Sequence, residues 1–120
     1  MIYQNITGLL AWELLQQEKN SFLVDIRTQG EWDSVGIPDL TNIKKDLIKI
    51  VWQADDPTFI PALEQAIPNK DSKIIFICRG GIRSAAAAEK GVQNGYKHCY
   101  NLTGGFEKGG WSSLPIKENN

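Results

Sequence analysis

Lys73-Ile74-Ile75-Phe76-Ile77, then Cys78-Arg79-Gly80-Gly81-Ile82-Arg83-Ser84, then Ala85-Ala86-Ala87-Ala88-Glu89-Lys90 is the stretch whose reading decides the fold. The apolar run has the length of a buried strand. The alanine run with Glu89 and Lys90 behind it has strong helix propensity. Between them lies a glycine-bearing loop that opens with a thiol. Strand, tight loop and helix together make an anion cradle, because the first backbone N–H groups of the helix have no partner within it.

The charges in this loop run against stability. Arg79 and Arg83 sit just before or within the first turn of the predicted helix, where the positive end of the macrodipole opposes a cation by about 0.3–1 kcal/mol. Two arginines, free N–H groups and two glycines that let the loop curl inward make a place that an anion relieves. The same field favours a thiolate, so Cys78 reads as a nucleophile. A cysteine after Ile-Ile-Phe-Ile also reads, by itself, as the last apolar residue of a core strand. Arg79, Gly80, Gly81 and Arg83 directly behind it favour the reactive role, although Gly80 and Gly81 serve an ordinary strand-to-helix turn equally well.

Cys78-Arg79-Gly80-Gly81-Ile82-Arg83-Ser84 resembles the active-site loop of the rhodanese family of sulfurtransferases, Cys-Arg-x-Gly-x-Arg-Ser. Leu23-Val24-Asp25-Ile26-Arg27, with Glu31-Trp32 and Ile37-Pro38 after it, resembles that family's first signature, and Tyr100-Asn101-Leu102 with Gly104-Gly105-Phe106 its last. The three motifs stand in the family's order and span roughly Ile6 to Pro115. Rhodaneses space the loop as Cys-x4-Arg, and related phosphatases of the same fold as Cys-x5-Arg; here the arginine is Arg83, the shorter spacing. One stretch departs from the pattern. Val35-Gly36-Ile37-Pro38-Asp39-Leu40 stands where the family commonly has Gly-His-Ile-Pro-Gly-Ala, so the histidine is missing and Asp39 replaces a turn glycine.

The resemblance implies an α/β fold: a single rhodanese-like domain with a central, mostly parallel sheet of about five short strands and helices on both faces. It implies transfer of a sulfane sulfur from thiosulfate or a persulfide donor to a thiol or protein acceptor, through a persulfide on Cys78. The loop residues Arg79, Gly80, Gly81, Ile82, Arg83 and Ser84 would bind the anionic sulfur, with Arg83 bracing the loop and Arg79 guiding the donor. Asp25 and Arg27 would support the fold. Such chemistry calls for no metal and no organic cofactor. Two other readings stay open: a rhodanese-fold phosphatase or arsenate reductase, and a non-catalytic binding or regulatory module.

Working outward from the loop, 120 residues with 42% apolar content suit one packed domain over 1–120, with 1–5 and 116–120 expected to be peripheral or frayed. A net charge of −1 recruits neither nucleic acid nor an anionic membrane, so anion attraction must be local. Two distant cysteines make no disulfide framework, and no Cys/His spacing suits a metal. Without a secretory signal or a transmembrane run, the chain is expected to be soluble and cytoplasmic.

The remaining elements follow from pattern. Ile2 to Ile6 reads as an edge strand, Thr7 as the N-cap of an amphipathic helix from about Gly8 to Glu18, and Phe22 to Ile26 as a second buried strand. Asn42-Ile43 suggests a short strand, while Lys44 to Gln53 fits neither period. Asp55 or Asp56 followed by Pro57 reads as the start of a helix reaching about Pro68. A helix from Arg83 to about Asn94 is stopped by Gly95, and His98 to Leu102 forms a further strand. Phe106 to Trp111 is expected to close the domain as a short helix. Glu31 and Trp32 are assigned to structure first and to the pocket mouth second. His98, the only histidine, falls at the wrong end of its strand for catalysis, and Cys99 at a core position.

Overall fold

Ile74 and Phe76 face one apolar cluster and Ile75 and Ile77 the other, which is why this strand carries no polar alternation. In the computed structural model, which describes residues 2–120, it is β5 (Lys73–Ile77), in the middle of a five-stranded sheet ordered β1-β6-β5-β2-β4. The others are β1 (Gln4–Ile6), β2 (Ser21–Asp25), β4 (Ile48–Lys49) and β6 (His98–Leu102), and every pairing is parallel. Met1 lies outside the described residues.

Helices cover both faces. Beneath one, Ala11 and Leu15 of α1 (Gly8–Gln17) pack with Leu23, Ile75, Ile77 and Trp111. Beneath the other, Phe59 and Leu63 of α3 (Phe59–Ala66) and Ala87 and Ala88 of α4 (Ile82–Gln93) pack on Val24, Ile74 and Phe76. The alanines bring α4 close to the sheet, and that sets its amino terminus beside the end of β5. Thr7 caps α1, accepting the Leu10 N–H at 3.3 Å. Thr28 and Glu31 form a reciprocal capping box at the start of α2 (Gln29–Val35).

Several expectations are corrected. Asn42 and Ile43 belong to a 3-10 turn, Thr41–Ile43, and the segment that fitted no period supplies β4, whose two residues are too few to show one. The third helix begins at Phe59, after Thr58: Asp56 accepts the Thr58 N–H in a turn of its own, and this leaves Pro57 outside the helix. Residues 106–111 form turns instead of a helix. Glycines at 109 and 110 weaken helix there, and the Trp111 N–H bonds the Gly105 carbonyl in place of the Glu107 carbonyl that a helix would offer it. At the carboxyl end, Ile116–Lys117 is a strand, β7, pairing antiparallel with β3 (Ile37–Pro38), although both its residues are exposed.

The departure at Val35 to Leu40 is accommodated locally. Asp39 accepts the Thr41 N–H at 3.0 Å, and Lys44 and Asp55 are the only non-glycine residues with positive φ among the described residues. Position 39 therefore makes no demand that only glycine meets. No helix among the described residues is long and apolar enough to cross a membrane.

Candidate active site

Cys78 follows β5 at the carboxyl edge of the sheet, where the parallel α/β arrangement collects ligands. It is 1% exposed and packs at the margin of the cluster containing Val24, Phe76 and Ala87. Both readings of this residue thus have a structural basis. Its backbone ends a core strand, whereas its sulfur is a focus of polar groups: Gly81 N–H donates at 3.1 Å and Ser84 N–H at 3.3 Å, and the Ser84 hydroxyl oxygen lies 3.1 Å away. Burial, the largest single influence, pushes the thiol up. The Ser84 hydroxyl and the N–H groups of Ser84, Gly81 and Gly80 together outweigh it and hold Cys78 below the ordinary thiol range.

Two glycines make this curl possible. Gly81, at φ 104, is the N-cap of α4 and turns its own N–H back onto the sulfur. Gly105, at φ 57, lies directly against the loop: a Cβ there would fall 2.5 Å from the carbonyl oxygens of both Cys78 and Arg79. That approach lets Phe106 N–H bond the Cys78 carbonyl at 2.7 Å and Glu107 N–H the Arg79 carbonyl at 3.0 Å. The Gly104-Gly105-Phe106 motif is therefore a clamp on the back of the Cys78 loop.

Asp25 and Arg27 lie fully buried at the end of β2, with Asp25 in register with Ile77. Arg27 donates from Nε and Nη2 to both carboxylate oxygens, at 2.7 Å in the shortest contact. Its Nη2 also reaches the Gly36 carbonyl at 2.9 Å, and its guanidinium lies 3.9 Å over the Phe106 ring. The pair ties the end of β2 to α2 and to the glycine clamp, and leaves the Asp25 carboxylate occupied.

Both loop arginines have carboxylate partners. Arg83 donates to Glu31 through Nη1 at 2.8 Å and Nη2 at 2.9 Å, and Arg79 donates through Nε to Glu107 at 2.7 Å. The Arg83 side chain beside Glu31 holds that carboxyl at about 2. Thr28, Glu31, Val35, Arg79 and Glu107 line a surface cleft of about 440 Å³. A larger depression between Trp52 and Lys90 holds none of the loop residues, so size does not mark the site; converging donors do.

Among the sequence candidates, Cys78, Gly81, Arg83 and Ser84 come together around the sulfur or its brace. Arg79 and Ile82 point outward, and Ile82 is 86% exposed. Gly80 sits in the loop with its α-carbon facing the Lys108 side chain. Glu31, assigned to structure first, also braces Arg83, while Asn101 had no role beyond its place in the last motif and Glu107 had none. A glutamate in the first signature that caps its own helix gives no sign that it also reaches across to α4. His98 starts β6 in register with Lys73, at the far end of the sheet, and burial pushes Cys99 up to about 12. No cluster of potential metal ligands occurs among the described residues.

Comparisons with known proteins agree with this geometry. The family of rhodanese-like domains matches residues 10–112. The protein RP600 of Rickettsia prowazekii is 41% identical over all of this chain and 96% of its own length. The thiosulfate sulfurtransferase GlpE of Coxiella burnetii is 26% identical over 89% of this chain and 87% of its own. The crystal structure of Rv0390 from M. tuberculosis superposes with a TM-score of 0.86 at 30% identity, covering 99% of this chain and 100% of that one. With its sheet order, its Cys78 loop and its family match over most of its length, the chain belongs to the rhodanese-like domain family.

Proposed function

We propose that this protein is a sulfurtransferase that carries sulfane sulfur on Cys78. The observation behind this reading is the set of N–H groups from Gly81 and Ser84 directed at the Cys78 sulfur within a loop of Cys-x4-Arg spacing. Such a bowl stabilises a small anionic sulfur and has one residue fewer than the phosphatase loop of the same fold. The similarity to the Coxiella thiosulfate sulfurtransferase supports it.

The transfer takes two displacements. The Cys78 thiolate attacks the outer sulfur of thiosulfate or of a persulfide donor; the new sulfur–sulfur bond forms as the old one breaks, and the electron pair leaves with sulfite or the donor thiolate. An acceptor thiolate, or cyanide in an assay, then attacks the outer sulfur, and Cys78 departs as a thiolate. The loop N–H groups steady negative charge at each stage. Arg83, braced by Glu31, holds the first turn of α4 in place. Arg79 lies at the rim, where an incoming anionic donor competes with Glu107 for its guanidinium. Neither step calls for a metal or an organic cofactor.

Mass analysis of purified protein after exposure to thiosulfate tests the proposal. The expected result is one added sulfur on Cys78, released as thiocyanate by cyanide and absent in Cys78→Ala. Hydrolysis of a phosphate ester that disappears in Cys78→Ser, with no sulfur gained on Cys78, would assign phosphatase chemistry instead. Neither activity would make the domain a binding module.

A further inference from the structure

Behind the sulfur runs a chain of polar side chains that the transfer steps do not use. The Ser84 oxygen, 3.1 Å from the Cys78 sulfur, is also 2.5 Å from Asn101 Oδ1. Asn101 in turn donates through Nδ2 to Asn5 Oδ1 at 3.0 Å. Asn5 and Asn101 are register partners across β1 and β6, Asn101 is 6% exposed, and Asn5 reaches the surface. With its Nδ2 directed at Asn5, the Asn101 amide presents its oxygen to Ser84.

A hydroxyl has one hydrogen, and here two acceptors face it. When the sulfur carries its own proton, the thiol donates to the Ser84 oxygen, and Ser84 donates to Asn101. When the sulfur is a thiolate, it needs the Ser84 hydrogen, and Asn101 must give that hydrogen up. When the sulfur is bonded in a persulfide, the charge moves to the outer atom and the hydrogen is free to return to Asn101. We infer that Asn101 is a positioning residue for Cys78: its amide oxygen competes with the sulfur for the single Ser84 hydrogen and so favours the thiol and persulfide states over the bare thiolate.

The charged groups around the sulfur leave this competition intact. Arg83 on α4 acts on Cys78 through its charge and is bound to Glu31 of α2. Asp25 and Arg27 at the end of β2 neutralise each other, and Arg79 is paired with Glu107. From β1 and β6, the groups reaching Ser84 are the neutral amides of Asn101 and, behind it, Asn5. The persulfide part of the inference rests on the sulfur-carrier reading. The thiol–thiolate part does not, since it concerns the unloaded protein.

The test is the pH dependence of Cys78 alkylation by iodoacetamide in unloaded protein, read by mass spectrometry. Asn101→Ala removes the competitor, so the thiolate-to-thiol ratio is expected to rise about three- to tenfold, the scale of one neutral hydrogen bond. In a Ser84→Ala background the same change is expected to do nothing. An unaltered or higher alkylation midpoint in folded Asn101→Ala, or an equal effect with and without Ser84, would overturn the inference. Should Asn101→Ala fail to fold, Asn101→Asp keeps the side-chain shape and accepts more strongly. It is expected to raise the midpoint further when Ser84 is present than in Ser84→Ala; equal rises would mean bare charge repulsion and defeat the proposal. A protein that transfers no sulfur would still titrate at Cys78, so failure of the sulfur-carrier reading and failure of this competition give different results.

Discussion

Glu31 and Arg83, 52 positions apart, meet through two parallel hydrogen bonds of 2.8 and 2.9 Å that fasten α2 to the first turn of α4. Glu31 does this while also capping its own helix through Thr28, which explains a carboxyl held at about 2 against an ordinary value of 4.5. A carboxyl depressed by folding contributes stability that is present above its unfolded value and is lost as pH falls through its folded one. Thermal melts are therefore expected to show wild type exceeding Glu31→Gln at neutral pH, with the difference shrinking between about pH 4.5 and about 2. A constant difference across that range would mean that the pair contributes nothing through charge. At the loop, Arg83→Ala is expected to reduce sulfur transfer roughly 10- to 100-fold by loosening the first turn, whereas Cys99→Ala leaves it nearly unchanged.

Cys78 and Cys99 are both buried and have opposite environments. Donors around Cys78 outweigh its burial, whereas burial alone governs Cys99 and pushes it up to about 12. Alkylation followed against pH is expected to modify Cys78 first, with a midpoint below the ordinary thiol value of 9.0, and to leave Cys99 intact until the protein unfolds. Ser84→Ala takes away a donor to the charged form. Its midpoint should move upward by about one to two pH units, the equivalent of a hydrogen bond to a charged group. Equal reactivity of the two cysteines in folded protein would contradict the geometry around Cys78.

How legible this was in the sequence depended on the range of the interaction concerned. β5, its loop and α4 were readable because a buried parallel strand, a glycine turn and an alanine-rich helix each leave a local imprint. β4 was not, since its two residues owe their strand state to pairing with Val24 and Asp25. The pairing of Ile116–Lys117 with Ile37–Pro38 is likewise set by tertiary contact. Residues 106–111 were expected as a helix, but Gly109 and Gly110 disfavour one, and the Trp111 N–H, which a helix would direct to Glu107, bonds the Gly105 carbonyl instead. In the site, Cys78 and its donors were adjacent in the chain and so could be seen together. Glu31, Glu107 and Asn101 arrive from other elements, and no spacing rule brings them there.

Asp25→Ala separates support from catalysis. The Asp25–Arg27 pair is fully enclosed, so removing the carboxylate leaves a buried guanidinium without its counter-charge. Loss of one member of such a pair costs about 3–5 kcal/mol. Denaturant unfolding is expected to show a loss of that size. Whatever fraction remains folded should still alkylate at Cys78 with a normal midpoint. A variant of native stability but without sulfur transfer would instead make Asp25 a participant in the chemistry.

Gly105 presents a steric demand that can be isolated by comparison with Gly95. Both have positive φ, 57 and 94, so alanine at either carries backbone strain of about 1–2 kcal/mol. They differ in surroundings. A Cβ at Gly95 meets nothing within 4 Å, whereas one at Gly105 runs into the carbonyls of Cys78 and Arg79 at 2.5 Å. Backbone cannot step aside as a flexible side chain does, so Gly105→Ala must push the glycine clamp away from the loop or destabilise the domain by about 1–3 kcal/mol beyond the Gly95→Ala value. Displacement of the clamp breaks the hydrogen bonds from Phe106 and Glu107, and the loop that turns Gly81 and Ser84 onto the sulfur loses its backing. Melting temperature and Cys78 alkylation measured on both variants are expected to show a slower, higher-midpoint thiol in Gly105→Ala alone. If the two alanine variants match in stability and in thiol reactivity, close approach at Gly105 does not shape the site, and the arrangement of donors around Cys78 is carried by the loop unaided.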